Sequence, residues 1–209
     1  MPIWLKMSLD SESALAVWKI EADDQAHFDA LPLGEVDKTR LQGIAHPQKK
    51  REFLGARAAL NALNMPLTLL DYTDKKKPIL PEVKLSLSHN HHFAAAIVHP
   101  RLEVGIDVED INRRVSHLRH KFVRHDEQTI VESHPAFGDL LIWGSKECAY
   151  KLNGRKELDF KHDLKLSQQP NEQLAVQICD NEQMQLGGIQ FLVTQGALVV
   201  WAIEQKSKH

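Results

Sequence analysis

Apolar and polar positions along the chain predict strands, then helices, then strands again. Residues 14–20, Ala-Leu-Ala-Val-Trp-Lys-Ile, read as a strand. Leu31 to Gly34 reads as a turn, and Glu35 to Ala45 as a short helix that His46-Pro47 ends, since the residue before a proline avoids helical backbone. From Gln48 to Leu63, Phe53, Leu54, Ala56, Leu60 and Leu63 recur at spacings of three and four, which predicts a longer helix with Arg51 and Arg57 flanking its apolar stripe. Asp71 to Pro81 is a lysine-rich loop. Val83 to His89 alternates as a half-buried strand does, and Phe93 to Val98 is an almost unbroken apolar strand. His99-Pro100-Arg101 turns the chain into a third strand, Glu103 to Glu109, with Val104, Ile106 and Val108 on one face and Gly105, Asp107 and Glu109 on the other.

Residues 110–126 are polar and basic and predict no element. Ala136 to Leu152 carries the strongest helical pattern, along Phe137, Leu140, Leu141, Gly144, Cys148 and Leu152, and Asn153-Gly154 ends it because glycine tolerates a left-handed cap. Leu174–Cys179, Gly188–Thr194 and Leu198–Ile203 read as short strands. No repeat of fixed period is visible, and the order of elements predicts an α+β fold.

Composition narrows the class. With 43% hydrophobic and 26% charged residues, the 209-residue chain can bury a core without a disulfide or metal staple. A net charge of −2, with 12 histidines counted neutral, gives no sign of a nucleic-acid or membrane binder. Cys148 and Cys179 form no ligand pattern, Met1 to Asp10 lacks an apolar signal segment, and no stretch approaches the roughly 20 apolar residues of a membrane helix. The expectation is a cytoplasmic protein.

The candidate chemistry lies in two segments. Gly105-Ile106-Asp107-Val108-Glu109 puts two carboxylates on one strand face. Trp143-Gly144-Ser145-Lys146-Glu147-Cys148-Ala149-Tyr150-Lys151 puts Glu147 and Lys151 on one helix face. Packed side by side, the strand and the helix would bring three acids together, and hard oxygen ligands suit Mg²⁺ with a substrate phosphate. Alone, Asp-x-Glu is equally a solvated strand face, and Glu-x₃-Lys a helix salt bridge.

Ser86-Leu87-Ser88-His89-Asn90-His91-His92 holds three histidines, but no cysteine or carboxylate completes a zinc set beside them, so Ser88 and His89 read better as hydrogen-bond partners of a phosphate. Residues 111–125 carry Arg113, Arg114, Arg119, Lys121 and Arg124, either a solvated segment or a positive patch that steers an acidic protein partner.

In their order, the two segments resemble motifs of the 4′-phosphopantetheinyl transferases. The first is similar to Gly-(Ile/Val)-Asp-x-Glu. The second is similar to Trp-x-x-Lys-Glu-(Ala/Ser)-x-x-Lys, matched at Trp143, Lys146, Glu147 and Lys151, with Cys148 at the small position. Ser86 to His89 resembles the family's Ser-x-Ser-His strand. Lys77-Pro78 resembles the end of its Gly-Lys-Pro loop, with Lys76 in place of the glycine. Phe122 to Glu127 resembles its Phe-x₄-Glu segment, and Arg51 and Arg57 its basic helix.

The length resembles the larger, surfactin-synthetase-activating type. That resemblance implies a monomer of two similar α+β halves, residues 1–103 and 104–209, forming an intramolecular pseudo-dimer with the active site at a junction near residues 100–104. It implies transfer of 4′-phosphopantetheine from coenzyme A to a serine of an apo acyl or peptidyl carrier protein, with release of adenosine 3′,5′-bisphosphate.

The roles it implies follow residue by residue. Asp107, Glu109 and Glu147 would hold Mg²⁺. Lys151 and Lys146 would neutralise phosphate charge, and Glu147 or Glu127 would be the base. Arg51, Arg57, Ser88 and His89 would bind the 3′-phosphate, Lys77 and Pro78 would lie along the nucleotide, and residues 111–125 would face the carrier. Three alternatives stand beside this reading: a non-catalytic coenzyme A binder, another Mg²⁺-dependent phosphate enzyme, and a zinc-binding interaction protein.

Overall fold

Small side chains set how closely helix and sheet approach in the first of the two units into which the chain divides, Met1–Arg101 and Leu102–His209. The computed structural model describes residues 3–154, 157–169, 173–180 and 183–205. In the first unit β1 (Ile3–Ser8) and β2 (Ala14–Lys19) are followed by α1 (Gln25–Asp29), α2 (Glu35–Gln42) and α3 (Pro47–Ala62). The two-residue strands β3 (Asp71–Tyr72) and β4 (Pro78–Ile79), then β5 (Lys84–His89) and β6 (Phe93–His99), complete it. The sheet runs β1-β2-β6-β5, antiparallel throughout.

Helix α3 lies on this sheet. A Cβ added to Gly55 would sit 3.1 Å from the Ala94 Cβ, so a glycine opposite an alanine run lets the two backbones close up. The predicted stripe Phe53, Leu54, Ala56, Leu60 and Leu63 is buried as the core. His46-Pro47 separates α2 from α3 as expected, and also starts the second helix: Pro47 occupies its first turn, where a missing N–H costs nothing, and His46 Nδ1 accepts the Gln48 N–H at 3.2 Å.

The loop between β3 and β4 explains how a lysine stands where the related motif has glycine. Lys76 takes φ +64, the left-handed region, while its N–H reaches the Thr73 carbonyl at 2.8 Å and the Thr73 N–H reaches Lys77 at 2.9 Å. Left-handed backbone costs a side-chain-bearing residue about 1 kcal/mol. Lys76→Gly should therefore raise the denaturation midpoint of the protein, by up to about 1 kcal/mol less the extra chain entropy of glycine. A lowered midpoint would show that the Lys76 side chain itself holds the loop.

The second unit begins with β7 (Val104–Asp110). The stretch predicted to hold no element contains a 3₁₀ turn at Ser116–Leu118, α4 (Arg119–Phe122) and a second 3₁₀ turn at His125–Glu127. These short elements are pinned by Val115, Phe122 and Val123, all buried. Next come α5 (Gln128–Ser133), α6 (Gly138–Asn153), β8 (Leu164–Gln168), β9 (Leu174–Asp180), β10 (Gln183–Thr194) and β11 (Ala197–Gln205). The five strands form one antiparallel sheet in the order β7-β11-β10-β9-β8. Leu140, Leu141, Cys148 and Leu152 of α6 pack into a core with Leu164, Val176, Ile178, Leu198 and Val200 of the sheet. Gly154 ends α6 at φ +71, the left-handed cap expected of Asn153-Gly154.

The α+β class read from the sequence is the class the structure shows. Among the described residues no helix is long and apolar enough to cross a membrane.

Candidate active site

Strand β7 and helix α6 nearly touch at Gly105. A Cβ there would lie 2.1 Å from the Cys148 carbonyl oxygen, so only a hydrogen fits between strand and helix. This contact lays the Asp107 and Glu109 face of the strand beneath α6. Both carboxylates are 5% exposed, so the face is not the solvated one that Asp-x-Glu alone allows. Gly105→Ala must push α6 off the sheet. We expect a loss of about 3 kcal/mol or more, beyond ordinary overpacking because the obstacle is backbone. A melting curve measures it, and wild-type stability in the variant would disprove the close contact.

Beneath the helix the acids meet cations and an indole. Lys151 donates from Nζ to Asp107 Oδ1 at 2.8 Å and to the Ile106 carbonyl at 2.8 Å. Trp143 donates from Nε1 to Glu109 Oε1 at 3.1 Å. Arg113 also donates to Glu109, its guanidinium 5.4 Å from the Trp143 ring centre.

Burial and the neighbouring Asp107 push the Glu109 carboxyl up to about 7 against the pull of Arg113. Burial likewise raises Glu147, with Lys151 opposing and Asp107 adding to the rise. Burial pulls the Lys151 ammonium down, but Asp107, Cys148 and Glu147 more than offset it and hold its pKa above the ordinary lysine value. Asp107, Glu109 and Glu147 offer hard carboxylate oxygens, two of the three groups raised by burial. Among the described residues no three such side chains stand at metal-ligand spacing; Lys151 occupies Asp107, and Arg113 occupies Glu109.

Lys146 and Glu127 pair elsewhere, in the core. Both side chains are 0% exposed, 2.8 Å apart. The three donors of the Lys146 ammonium go to Glu127, to the Phe122 carbonyl at 2.6 Å and to the Phe160 carbonyl at 2.9 Å. Glu127 in turn accepts the backbone N–H groups of Arg124 and Leu166, each at 2.9 Å. Two of the four residues expected to do chemistry are thus fully engaged with the fold.

In the first unit, Ser86 and Ser88 are buried on β5, and His89 stands at its end with Nδ1 3.2 Å from Glu52 Oε2. Arg51 donates to the backbone carbonyls of Glu21 and Ala22. Arg57 is buried and forks onto Asp37 at 2.9 and 3.0 Å, with Tyr72 hydrogen-bonded to both. Lys77 donates its backbone N–H to Thr73 Oγ1 at 3.2 Å, and Pro78 opens β4.

Across the basic stretch, Arg119 pairs with Asp139 and Arg124 with Asp126. Arg113, in the stretch expected to face a carrier, pairs with Glu109 while its side chain stays 43% exposed; its signal is position, four residues after Glu109. Glu52, the buried partner of His89, draws no attention in the sequence because it lies beside an apolar helix stripe, where a glutamate is ordinary.

Residues 103–190 match the family model of the 4′-phosphopantetheinyl transferase superfamily, a span that runs from β7 through most of β10 and includes Asp107, Glu109, Glu127, Lys146, Glu147 and Lys151. The match supports a transferase of this kind. No curated protein matches the chain.

Proposed function

We propose that the protein transfers the 4′-phosphopantetheine group of coenzyme A to a serine of an apo acyl or peptidyl carrier protein. The observation that carries the reading is the Asp107 and Glu109 face of β7 lying under α6, within the electrostatic reach of Glu147 and Lys151, inside the segment that matches the family model. Asp107, Glu109 and Glu147 would hold Mg²⁺ once Lys151 and Arg113 give up Asp107 and Glu109 and the three acids close up. The cation would supply Lewis-acid stabilisation of charge on the pyrophosphate oxygens.

The chain's own groups do the rest. Lys151 sits beside Asp107 as a fixed positive charge, placed for the charge that grows on a breaking pyrophosphate. Glu147, half-buried and with its carboxyl raised, fits the base that takes the serine proton better than Glu127, whose oxygens are already engaged. Lys146 is assigned to holding Glu127 rather than to phosphate. The serine oxygen then bonds to the β-phosphorus of coenzyme A, and the bond to the bridging oxygen breaks to release adenosine 3′,5′-bisphosphate.

In the first unit, Ser88, His89, Lys77 and Pro78 would bind the nucleotide and its 3′-phosphate. Arg51 would join them only by leaving its backbone partners, and Arg57 would act by shaping the helix. Incubation with coenzyme A, Mg²⁺ and a panel of apo carriers tests the proposal: one carrier should gain the mass of a phosphopantetheine group. Hydrolysis of coenzyme A with no carrier modified would point instead to a Mg²⁺-dependent phosphohydrolase.

A further inference from the structure

A buried carboxylate needs a reason, and Glu52 has one on each side. It is 2% exposed on α3, with Oε2 2.6 Å from Lys49 Nζ and 3.2 Å from His89 Nδ1. Lys49 alone is a poor reason. Its side chain is 64% exposed, and a solvated pair of this kind contributes about 0.5 kcal/mol, less than the cost of burying a carboxylate. The His89 side chain is 40% exposed, so the pair runs from a buried acid to an imidazole that reaches solvent. Burial pushes the Glu52 carboxyl up, and Lys49 and His89 outweigh it, so the group ionises below the usual carboxylate range.

We infer that Glu52 is a positioning residue, whose carboxylate holds His89 by Nδ1 so that the other ring nitrogen presents an N–H to a phosphate monoester. A carboxylate on Nδ1 fixes the ring's orientation and favours the imidazolium, the form in which both ring nitrogens carry a hydrogen and the far one can donate to a phosphate. The buried hydroxyl-bearing residues Ser86 and Ser88 precede His89 on the same strand. On the reading of Ser88 and His89 as coenzyme A contacts, on which the inference rests, the ligand is a nucleotide whose 3′-phosphate monoester, not its 5′-phosphate, reaches His89.

The test is calorimetric binding of adenosine 3′,5′-bisphosphate and of 5′-AMP, with ¹⁵N shifts of the His89 ring recorded beside it. Glu52→Gln should weaken the bisphosphate about tenfold, leave 5′-AMP unchanged and move the His89 ring shifts. Lys49→Met should do none of these, whereas a mere helix salt bridge predicts equal losses from both variants. If Glu52→Gln does not fold, Glu52→Asp keeps the charge but withdraws it from Nδ1, and the same loss is expected. Unchanged bisphosphate affinity in the Glu52 variant, or no binding by the wild type, overturns the inference. Intact bisphosphate binding with no carrier modified would sink the transferase reading and leave this one standing.

Discussion

Asp107→Ala should abolish carrier modification while leaving a folded protein. Asp107 is the acid to which Lys151 is anchored, and it sits on the face that would hold the cation. On the proposed reading the variant loses one of three metal ligands and the anchor of the lysine placed for the phosphates, which amounts to several kcal/mol of charge stabilisation. At about 1.4 kcal/mol per tenfold, that is a loss in kcat of about a thousandfold or more.

Stability should move much less, because two effects oppose. Lys151 loses a partner but keeps the Ile106 carbonyl, and Glu109 loses the like charge that raises its carboxyl. Added Mg²⁺ should raise the melting temperature of the wild type, by about 2.7 kcal/mol of linkage at a hundred times its dissociation constant, and not that of the variant. Full activity in Asp107→Ala would remove this residue from the site. A collapse in stability with proportionate activity loss would make it structural.

Most of the frame was legible because periodicity was strong where burial is one-sided. Helix α6 and the strands Leu174–Asp180 and Ala197–Gln205 declare themselves by apolar spacing, and the cap at Gly154 by chemistry. β1 and β8 were not read, although Leu164 and Leu166 alternate into the core: five residues at a weak hydrophobic level are indistinguishable from loop. α4 and the turns around it were missed because their order comes from single buried anchors such as Phe122, not from a repeating face.

In the site, spacing put Asp107 and Glu109 on one strand face and Glu147 and Lys151 on one helix face. Nothing in that spacing said that Gly105 would let the helix cover the strand face. Nor could it separate Lys146 from Lys151. Five residues apart in one motif, they differ by more than a quarter turn of helix, which sends one ammonium into the core and the other to Asp107.

Lys146 gives the second large expected effect, on stability and not on chemistry. Lys146→Met leaves Glu127 as a buried charge with only backbone N–H groups to hold it, and removes the donor to two carbonyls. Breaking a buried pair by deleting one partner costs about 3–5 kcal/mol. For a protein of this size that lowers the melting temperature by roughly 10 °C or more.

The double variant Lys146→Met with Glu127→Met removes the orphaned charge and should recover much of the loss, since well-packed apolar replacements of buried pairs are often near neutral. The recovery falls short of complete because the Phe122 and Phe160 carbonyls and the Arg124 and Leu166 N–H groups lose their partners. The activity of Lys146→Met at a temperature where it is fully folded separates the two roles open to this lysine. Activity within a few-fold of wild type fits a residue that holds Glu127 in the core. A loss as large as that of Asp107→Ala in the folded variant would return Lys146 to the phosphate, which would require its three buried donors to be released during the reaction.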